Sequence, residues 1–499
     1  MQITLATGPA AQLEAGALVS YAFEQEKPIE GALAELDKAA GGALARLAES
    51  RELTGKSLEM TLLHYPAGVK AERLLVVGAG KKEKCSAAEL RKLAAAAARY
   101  LKARSVRRLA FLAREDDRTA IGAEAIAEGL LLGEFEGDKY KSEKKEPAPG
   151  IDAAALAGWD GAARSAGEQG LERGKTLAEA QNFARDLGNE PGNRLTPKVL
   201  AERAEKMARD ENLEVEVFDE KKLAELKMGA LLSVAQGSVE PPRMIVITYT
   251  PKKAAAANAP VLGLIGKAVT FDTGGISIKP AANMEDMKFD MCGGAAMLGA
   301  MRALARLKPP IKVIAVVAST ENMPGGRAQK PGDVQTAMSG KTIEVINTDA
   351  EGRMILADAL HYAKQLGCTH LVDAATLTGA IVVALAGVQT GLFGPDAKFI
   401  EQVLAASRTA GEKMWPMPLD DEYRDMIKST IADIQNVGSG KGAGASTAAA
   451  FLREFTGDTP WVHLDIAGTA WITDAKPWSA KGATGVAVRT MAELAMQLR

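Results

Sequence analysis

Two acidic residues and an arginine lie within one short segment, NTDAEGR (347–353). Side chains two residues apart in an extended chain point to the same side. If this segment is extended, Asp349, Glu351 and Arg353 place two anions and a cation on one face. Carboxylates that crowd together raise one another's pKa values, and they are costly at a buried strand end unless a cation accompanies them. The segment is therefore a candidate catalytic or metal-binding site.

A second group of charged residues follows the apolar run APVLGLIG (259–266). It lies in the segments GKAVTFDTGGISIKP (266–280) and KFDMCGG (288–294), whose paired glycines permit tight turns. The ionisable residues of interest there are Lys267, Asp272, Lys279 and Asp290.

The two groups together supply four carboxylates, which need roughly four positive charges to be tolerated side by side. Two divalent cations would provide them, and two-metal sites catalyse hydrolysis by holding both the attacking and the leaving atoms. Oxygen ligands suit Mg²⁺, Mn²⁺ or Zn²⁺ and do not select among them. The sequence thus favours a two-metal hydrolase.

Other catalytic motifs are missing from the sequence. The four histidines are isolated, with no HExxH segment, and there is no GxSxG elbow of a serine hydrolase. A two-metal phosphoesterase would share the carboxylates, but it would use more histidine ligands and an arginine-rich phosphate clamp. It is the alternative enzymatic interpretation.

The elements that must position these residues are short apolar strands alternating with helices. Because β-branched runs are separated by helical patterns, we expect a parallel or mixed sheet covered by helices on both faces. Ligand sites in such sheets lie beyond the carboxyl ends of strands, so the loops after residues 266, 346 and 375 are expected to form the site. The predicted strands of this part are 214–219, 243–249, 259–266, 312–319 and 369–375.

The first third of the chain predicts a smaller α/β domain. Its expected elements are a strand at 73–80, a helix to about residue 104 opened by a Ser86–Glu89 capping box, a strand at 108–113 and a helix over about 122–134. A helix from about 166 to 187 follows, closed by Gly188 and Asn189, and the prolines of NEPGNRLTP (189–197) make a domain boundary there. The fold class is therefore α/β with two domains, the larger one C-terminal and built on a mixed sheet flanked by helices. The predicted parts are an N-terminal domain at 1–165, a connecting helix at 166–189 and a catalytic domain at 190–499.

Composition favours a cytoplasmic protein with no membrane partner. The 499 residues carry a formal net charge of −2, and the three cysteines are few and dispersed, which is typical of a reducing compartment. The first residues lack the basic and apolar regions of a signal peptide. One uncharged stretch, 374–394, is long enough to span a bilayer, but it is rich in threonine and glycine and predicts buried core.

A non-catalytic interpretation is a nucleic-acid-binding protein that uses its N-terminal domain. It depends on the basic runs KKEK (81–84), KARSVRR (102–108) and KYKSEKK (139–145). Each run is interleaved with acids or falls on a predicted helix face or loop, so a solvated surface is the preferred interpretation. Nucleic acid is therefore a possible but unsupported partner.

The two charged segments closely resemble the signatures of the leucyl aminopeptidases, the cytosol aminopeptidase or M17 peptidase family. NTDAEGR agrees with the family pattern at every position, and GKAVTFDTGGISIKP departs from it only at Ala268 and Thr273, neither of which is a ligand in the family. NEPGNRLTP and DAATLTGA (373–380) are also similar to family segments. The resemblance covers about residues 170–499.

The resemblance implies a role for each charged residue. Asp272 and Glu351 would bridge two metal ions, Lys267 and Asp290 would complete the more tightly held one, and Asp349 the more exchangeable one. A water bridging the metals would attack the peptide, and the free amine of the peptide would bind a metal. Lys279 would stabilise the oxyanion, and Arg353 would hold a bicarbonate ion as general base.

The resemblance also implies substrates and assembly. Met287, Thr376 and Gly379 correspond to the family's apolar first-residue pocket, and the Leu377 carbonyl to a substrate contact. The expected activity is removal of N-terminal Leu, Met and other apolar residues from peptides, with Mn or Zn, possibly Mg, as cofactor. A homo-hexamer is expected from the resemblance alone.

Overall fold

A computed structural model describes residues 1–26, 29–143, 150–252 and 258–499. The chain divides into two compact units. The N-terminal unit comprises Met1–Glu179 with Asp474–Lys481. The second unit, named the catalytic unit after the domain predicted there, comprises Ala180–Thr473 with Gly482–Arg499. Both units are α/β, which confirms the predicted fold class, while the domain limits at 165 and 189 stay predictions.

The N-terminal unit is built on a six-stranded sheet of order β1-β6-β5-β2-β4-β3. Neighbouring strands are parallel except β3, which runs antiparallel to β4. The strands are β1 (Gln2–Leu5), β2 (Ala17–Ala22), β3 (Met60–His64), β4 (Arg73–Gly78), β5 (Arg108–Leu112) and β6 (Ala153–Ala157).

Helices cover both faces of this sheet because successive strand residues point to opposite sides. Along β2, Val19 and Tyr21 join one apolar cluster, while Leu18 and Ala22 join the other. The Ser86 hydroxyl accepts a hydrogen bond from the Glu89 backbone N–H, which confirms the Ser86 half of the predicted capping box. The helices are α1 (Gly31–Ala39), α2 (Ala43–Glu49), α3 (Ala87–Lys102) and α4 (Ala120–Glu134).

The catalytic unit is built on an eight-stranded mixed sheet of order β15-β14-β17-β13-β9-β10-β8-β7. Strands β9, β10, β13 and β17 run parallel to one another, and β8 is antiparallel to both β10 and β7. Two smaller sheets pair β11 and β16 with β12, and β18 with β19. The strands are β7 (Glu214–Phe218), β8 (Arg243–Tyr249), β9 (Val261–Asp272), β10 (Lys312–Asn322), β11 (Val334–Thr336), β12 (Thr342–Glu344), β13 (His370–Ala375), β14 (Thr390–Phe393), β15 (Met414–Pro416), β16 (Ile434–Gln435), β17 (Trp461–Asp465), β18 (Trp471–Ile472) and β19 (Gly482–Ala483).

The helices of this part flank the large sheet, and α5 contains the division between the two units. They are α5 (Arg164–Gly188), α6 (Pro197–Asp210), α7 (Glu220–Glu225), α8 (Gly229–Ala235), α9 (Cys292–Leu307), α10 (Glu351–Gln365), α11 (Gly379–Leu385), α12 (Ala397–Ala410), α13 (Asp421–Asp425), α14 (Gly444–Arg453) and α15 (Val488–Gln497). The chain also has 3₁₀ helices at Ala10–Gln12, Lys82–Lys84, Glu115–Asp117, Gly161–Ala163 and Met284–Met291.

The central strand β9 is longer than the sequence predicts. A strand was expected to end at residue 266, but β9 continues to Asp272 because β10 pairs with it as far as Asn322. Lys267 therefore lies within the strand and not in the loop after it. The tight turn begins only at the paired glycines beyond Asp272.

The uncharged stretch 374–394 is buried at its two ends and at Ile381, while most of its middle is exposed. Strands β13 and β14 are buried as predicted, but the prediction of buried core is wrong for α11 and the turn after it. The side chain of Val383 is 90% exposed, and Val388 is also exposed. Among the residues that the structure describes, no helix is both long and apolar enough to cross a bilayer.

The basic runs of the N-terminal unit face acidic partners. Lys82 lies 3.2 Å from Asp116, and Arg107 forms a bidentate ion pair with Asp152 at 2.7 and 2.9 Å. Residues 144 and 145 of the third run lie outside the described residues. The described runs are thus part of a surface of mixed charge.

Candidate metal centre

The central strand carries two of the predicted metal ligands, Lys267 and Asp272, both of them buried. The Lys267 ammonium lies 2.8 Å from Asp290 Oδ1 and 2.7 Å from Glu351 Oε1, and it donates to the Thr376 carbonyl at 2.8 Å. Asp290 belongs to the 3₁₀ helix before α9, and Glu351 is the first residue of α10. Lys267 therefore joins β9 to two helices and to the loop after β13.

Lys279 forms the second centre of ion pairing. Its ammonium lies 2.8 Å from Asp272 Oδ2 and 2.5 Å from Asp349 Oδ1. The loop that carries Lys279 turns back sharply because Gly274 and Gly275 have φ values of 86° and 68°. A Cβ atom at Gly274 would lie 3.0 Å from Asp349 Oδ1, so the loop approaches the acid closely. Lys279 thus links the buried Asp272 to the partly exposed Asp349.

The carboxylates fit a divalent cation. Ligand atoms of Asp272, Asp290 and Glu351 all lie within 4.8 Å of one another. Asp290 Oδ2 and Glu351 Oε2 are buried and have no hydrogen-bond partner in the part of the chain that the structure describes. A buried carboxylate oxygen without a partner is rare and costly, and a hard cation with oxygen ligands would satisfy both atoms. This donor set agrees with the predicted metal site.

The electrostatics of the cluster show an excess of negative charge. Burial would lower the pKa of Lys267, but the carboxylates of Asp290 and Glu351 outweigh it and raise that pKa. Burial and nearby acids raise the pKa values of Asp290 and Glu351 themselves. Dications would remove the cause of these shifts, because they neutralise the carboxylates that repel one another.

The segment NTDAEGR is not extended, so the prediction that its charged residues share one face of an extended chain is wrong. Thr348 and Asp349 form a turn, and helix α10 begins at Glu351. The turn forms because Asn347 Oδ1 accepts a hydrogen bond from the Asp349 backbone N–H at 2.8 Å. An acid in the first turn of a helix is favoured by the helix dipole. The two acids reach the same cluster from a turn and from a helix.

Arg353 lies apart from the ion pairs of the cluster. It is buried, and its Nη1 donates to the Asn436 carbonyl at 2.7 Å. Its Nε has no hydrogen-bond partner among the described residues. Burial lowers the pKa of Arg353 to about 10, so the guanidinium is still charged at neutral pH. The side chain therefore keeps a donor available for an anion.

The four residues predicted to contact substrate lie on two segments beside Asp290. Met287 is half-buried in the same 3₁₀ helix, three residues before Asp290. Thr376 is buried, and its hydroxyl donates to Asp290 Oδ1 at 2.7 Å. Leu377 is half-buried, and Gly379 is the exposed first residue of α11. A hydrogen bond thus joins Thr376 to the carboxylate cluster, while Met287, Leu377 and Gly379 are linked to it only through their neighbours in the chain.

The sequence reasoning missed residues that hold the cluster in place. Asn322 Nδ2 donates to Asp272 Oδ1 at 2.8 Å and to the Thr348 carbonyl at 3.1 Å. The Thr348 hydroxyl donates to the Gly274 carbonyl at 2.6 Å. Asn322 is the last residue of β10 and pairs with Asp272, a contact between distant strands that no local pattern in the sequence signals.

One glycine makes room for the buried lysine. A Cβ atom at Gly352 would lie 2.7 Å from Lys267 Cδ and 2.8 Å from its Nζ. The first turn of α10 can therefore bring Glu351 to the ammonium only because the next residue lacks a side chain. This explains the glycine of NTDAEGR in physical terms.

The two α/β units and the carboxylate cluster agree with the metal-dependent hydrolase that the sequence predicts. The sequence profile described as "Cytosol aminopeptidase family, catalytic domain" matches residues 182–492, and that of the family's N-terminal domain matches residues 19–144. This chain belongs to the cytosol aminopeptidase family.

Individual relatives agree over the full length. The chain is 54% identical over 496 residues to a probable cytosol aminopeptidase of Solibacter usitatus (strain Ellin6076). It is 51% identical over 516 residues to a probable cytosol aminopeptidase of Koribacter versatilis (strain Ellin345). Each alignment covers 99% of this chain and 99% of the relative. Among solved structures it is similar to a mutant of the tomato leucine aminopeptidase, with a TM-score of 0.88, 34% identity and coverage of 100% of this chain and 96% of that one. It is also similar to the bottromycin maturation enzyme BotP in complex with Mn, with a TM-score of 0.85, 34% identity and coverage of 97% and 99%.

The chain is thus a metal-dependent exopeptidase that acts at peptide N-termini. The matches favour neither the phosphoesterase nor the nucleic-acid-binding alternative.

Proposed function

We propose that this exopeptidase uses two divalent metal ions to remove N-terminal leucine, methionine and other apolar residues from peptides. One observation carries the proposal: three buried carboxylates converge within 4.8 Å, and two of them have an oxygen without a hydrogen-bond partner among the described residues. Lys267 and Lys279 offset part of this buried negative charge, and bound cations would offset the rest.

The proposed ligands follow the contacts of the cluster. Asp272 and Glu351 would bridge the two ions, Lys267 and Asp290 would complete one, and Asp349 the other. Lys267 would bind as a neutral amine, because adjacent dications lower the pKa of an ammonium enough for it to lose its proton. In support, Glu351 and Asp290 both contact Lys267, while Asp272 and Asp349 both contact Lys279. When bound, the ions would supply Lewis acidity, which polarises a scissile carbonyl and lowers the pKa of a water.

Two cations of the chain would act on the reacting groups. Burial would lower the pKa of Lys279, but the surrounding acids raise it, which keeps the side chain charged and able to stabilise an oxyanion. Arg353 would hold a bicarbonate ion as general base, because a guanidinium can donate two parallel hydrogen bonds to such an anion. Its unpartnered Nε supports this role.

The first-residue pocket would be formed by Met287, Thr376 and Gly379, with the Leu377 carbonyl as a substrate contact. Thr376 ties this pocket to the metal site through its hydrogen bond to Asp290. An apolar pocket discriminates by about 1–3 kcal/mol per methylene group, so broad specificity with a preference for leucine and methionine is expected.

The remaining assignments concern the cofactor and the assembly. Manganese is the first metal to test because the similar BotP structure is a complex with Mn, with zinc and magnesium as the other candidates. We propose a homo-hexamer in the cytoplasm, with an N-terminal domain at 1–165, a connecting helix at 166–189 and the catalytic domain at 190–499. Light scattering of the purified protein tests the assembly against the 52.4 kDa mass of one chain.

The function is tested with the metal-depleted protein. Treatment with a chelator should abolish hydrolysis of leucine p-nitroanilide, and Mn²⁺ or Zn²⁺ should restore it. An N-acetylated leucine anilide should not be cleaved, since an exopeptidase needs the free amine. Full activity in protein shown by elemental analysis to hold no metal would refute the proposal.

A further inference from the structure

Asp465 is a buried carboxylate outside the proposed metal ligands. It is the last residue of β17, is 1% exposed and lies opposite Ala375, the last residue of the neighbouring strand β13. The loops after both strands therefore start beside it. The proposed chemistry makes no use of this acid.

Asp465 accepts hydrogen bonds from both loops. Its Oδ1 accepts from the backbone N–H groups of Leu377 at 3.1 Å and Ala467 at 3.2 Å, and its Oδ2 accepts from the Thr378 hydroxyl at 2.7 Å. All three partners are donors, so the site suits a carboxylate that accepts at both oxygens. A single buried side chain thus ties the loop after β13 to the loop after β17.

The connection continues into α11. The Thr378 hydroxyl that donates to Asp465 also accepts from the Ile381 backbone N–H at 3.1 Å, and so it caps this helix of seven residues. Val382 and Val383 of α11 are exposed, so packing alone holds the helix weakly. The position of Gly379, at the start of α11, therefore depends on the bond between Thr378 and Asp465.

We propose that Asp465 is a positioning residue that sets the shape of the first-residue pocket and thereby its selectivity for long apolar side chains. The inference rests on the proposed function, because that pocket includes Thr376, Leu377 and Gly379. The hydrogen bonds of Asp465 go to Leu377, Thr378 and Ala467 and not to the carboxylate cluster or Lys279, although its charge is near enough to raise the pKa of Arg353. Its loss should therefore change which substrates are preferred and leave the metals in place.

The test compares Asp465→Ala with the wild-type protein on leucine and alanine p-nitroanilides at saturating Mn²⁺. We expect the leucine-to-alanine ratio of kcat/KM to fall by about tenfold, the discrimination that one methylene group in a pocket supplies. The fall should come from a higher KM for the leucine substrate, with unchanged metal content by elemental analysis. Asp465→Asn keeps an Oδ1 that accepts from the two backbone N–H groups but loses the acceptor of the Thr378 hydroxyl, so its ratio should lie between those of the wild type and Asp465→Ala.

Asp358→Ala is the matched control. Asp358 is also a fully buried carboxylate that accepts backbone N–H groups, but its partners are Leu231 and Met338, away from the pocket. This control should lower the melting temperature without changing the substrate ratio. If Asp465→Ala does not fold, Thr378→Val removes both the hydrogen bond to Asp465 and the cap of α11, and it should shift the ratio in the same direction.

Three results would overturn the inference. These are an unchanged ratio in Asp465→Ala, an equal loss on both substrates, or the same change of ratio in Asp358→Ala. A wild-type protein that hydrolyses neither anilide with any of the metals would instead refute the proposed function, and the inference with it.

Discussion

The buried Lys267 shows how one residue can prepare a metal site. A lysine inside a protein is strongly disfavoured unless its charge is matched, and here two carboxylates and a carbonyl surround it. The same carboxylates are proposed to bind metal. In the folded chain without metal, the Lys267 ammonium therefore supplies a positive charge between Asp290 and Glu351 and keeps these two carboxylates close together.

Gly352→Ala tests this arrangement at a single residue. Gly352 is helical, so alanine suits the backbone, and the atoms that a new Cβ would meet belong to the flexible end of Lys267. We expect a stable protein in which Lys267 is displaced and the affinity for Mn²⁺ falls by about 10- to 100-fold, as when the support of a metal ligand is lost. Isothermal titration of the metal-depleted protein measures this.

Gly326→Ala is the control for that substitution, because a Cβ atom there would meet nothing within 4 Å. It should bind Mn²⁺ as the wild type does. An unchanged affinity in Gly352→Ala would show that the position of Lys267 does not matter for metal.

At the scale of elements, the sequence predicted the strands better than the turns between them. Residues 243–249 were predicted as a strand and form β8, because an apolar β-branched run is read without knowing its neighbours. The extension of β9 to Asp272 depends on pairing with β10, which a local pattern cannot show. The turn in NTDAEGR depends on one hydrogen bond to the Asn347 side chain. The segment is therefore not extended, and the expectation that side chains two residues apart share a face does not apply to it. The charged residues that the structure brings together could still be singled out from the sequence, because their types and spacing do not depend on the backbone conformation, while their individual roles come from the family resemblance. The supports Asn322 and Asp465 could not, because their partners are distant in the sequence.

A buried carboxylate, that of Asp358, attaches helix α10 to two other segments of the catalytic unit. About two turns beyond Glu351, Asp358 accepts from the Leu231 N–H at the start of α8 at 2.9 Å and from the Met338 N–H at 2.7 Å. Burial raises the pKa of Asp358 to about 7, against the lowering effect of these hydrogen bonds. The folded chain therefore binds a proton here more tightly than the unfolded chain does.

Asp358→Asn tests the stability that this attachment provides. The amide nitrogen cannot accept a hydrogen bond, so one backbone N–H loses its partner, and we expect a loss of about 1–3 kcal/mol of unfolding free energy. Because the folded pKa is raised, the aspartate's contribution is fully present below pH 4 and is lost as the pH rises through 7. The difference in melting temperature between wild type and variant should therefore shrink from pH 5 to pH 8. A difference that widens over this range would contradict the raised pKa.

At the scale of the whole molecule, the metal site links cofactor binding to folding. The chain as a whole is nearly neutral, with a formal net charge of −2. Three buried carboxylates, those of Asp272, Asp290 and Glu351, nevertheless converge at one place in the catalytic unit. A metal that binds only the folded state stabilises it by mass action. The two compact units each have their own apolar core, so the effect should belong to the catalytic unit.

Calorimetry with and without a chelator tests this link. Removing the metal should lower the melting temperature, and Mn²⁺ should raise it again with increasing concentration, by about 2.7 kcal/mol of stability at a free concentration 100 times Kd. If two transitions are resolved, only one should respond to metal. Asp272→Asn weakens the proposed bridging ligand, so the melting temperature of this variant should be nearly independent of Mn²⁺. A metal response in that variant equal to that of the wild type would mean that the stabilising ion binds elsewhere, and the carboxylate cluster would lose its assignment.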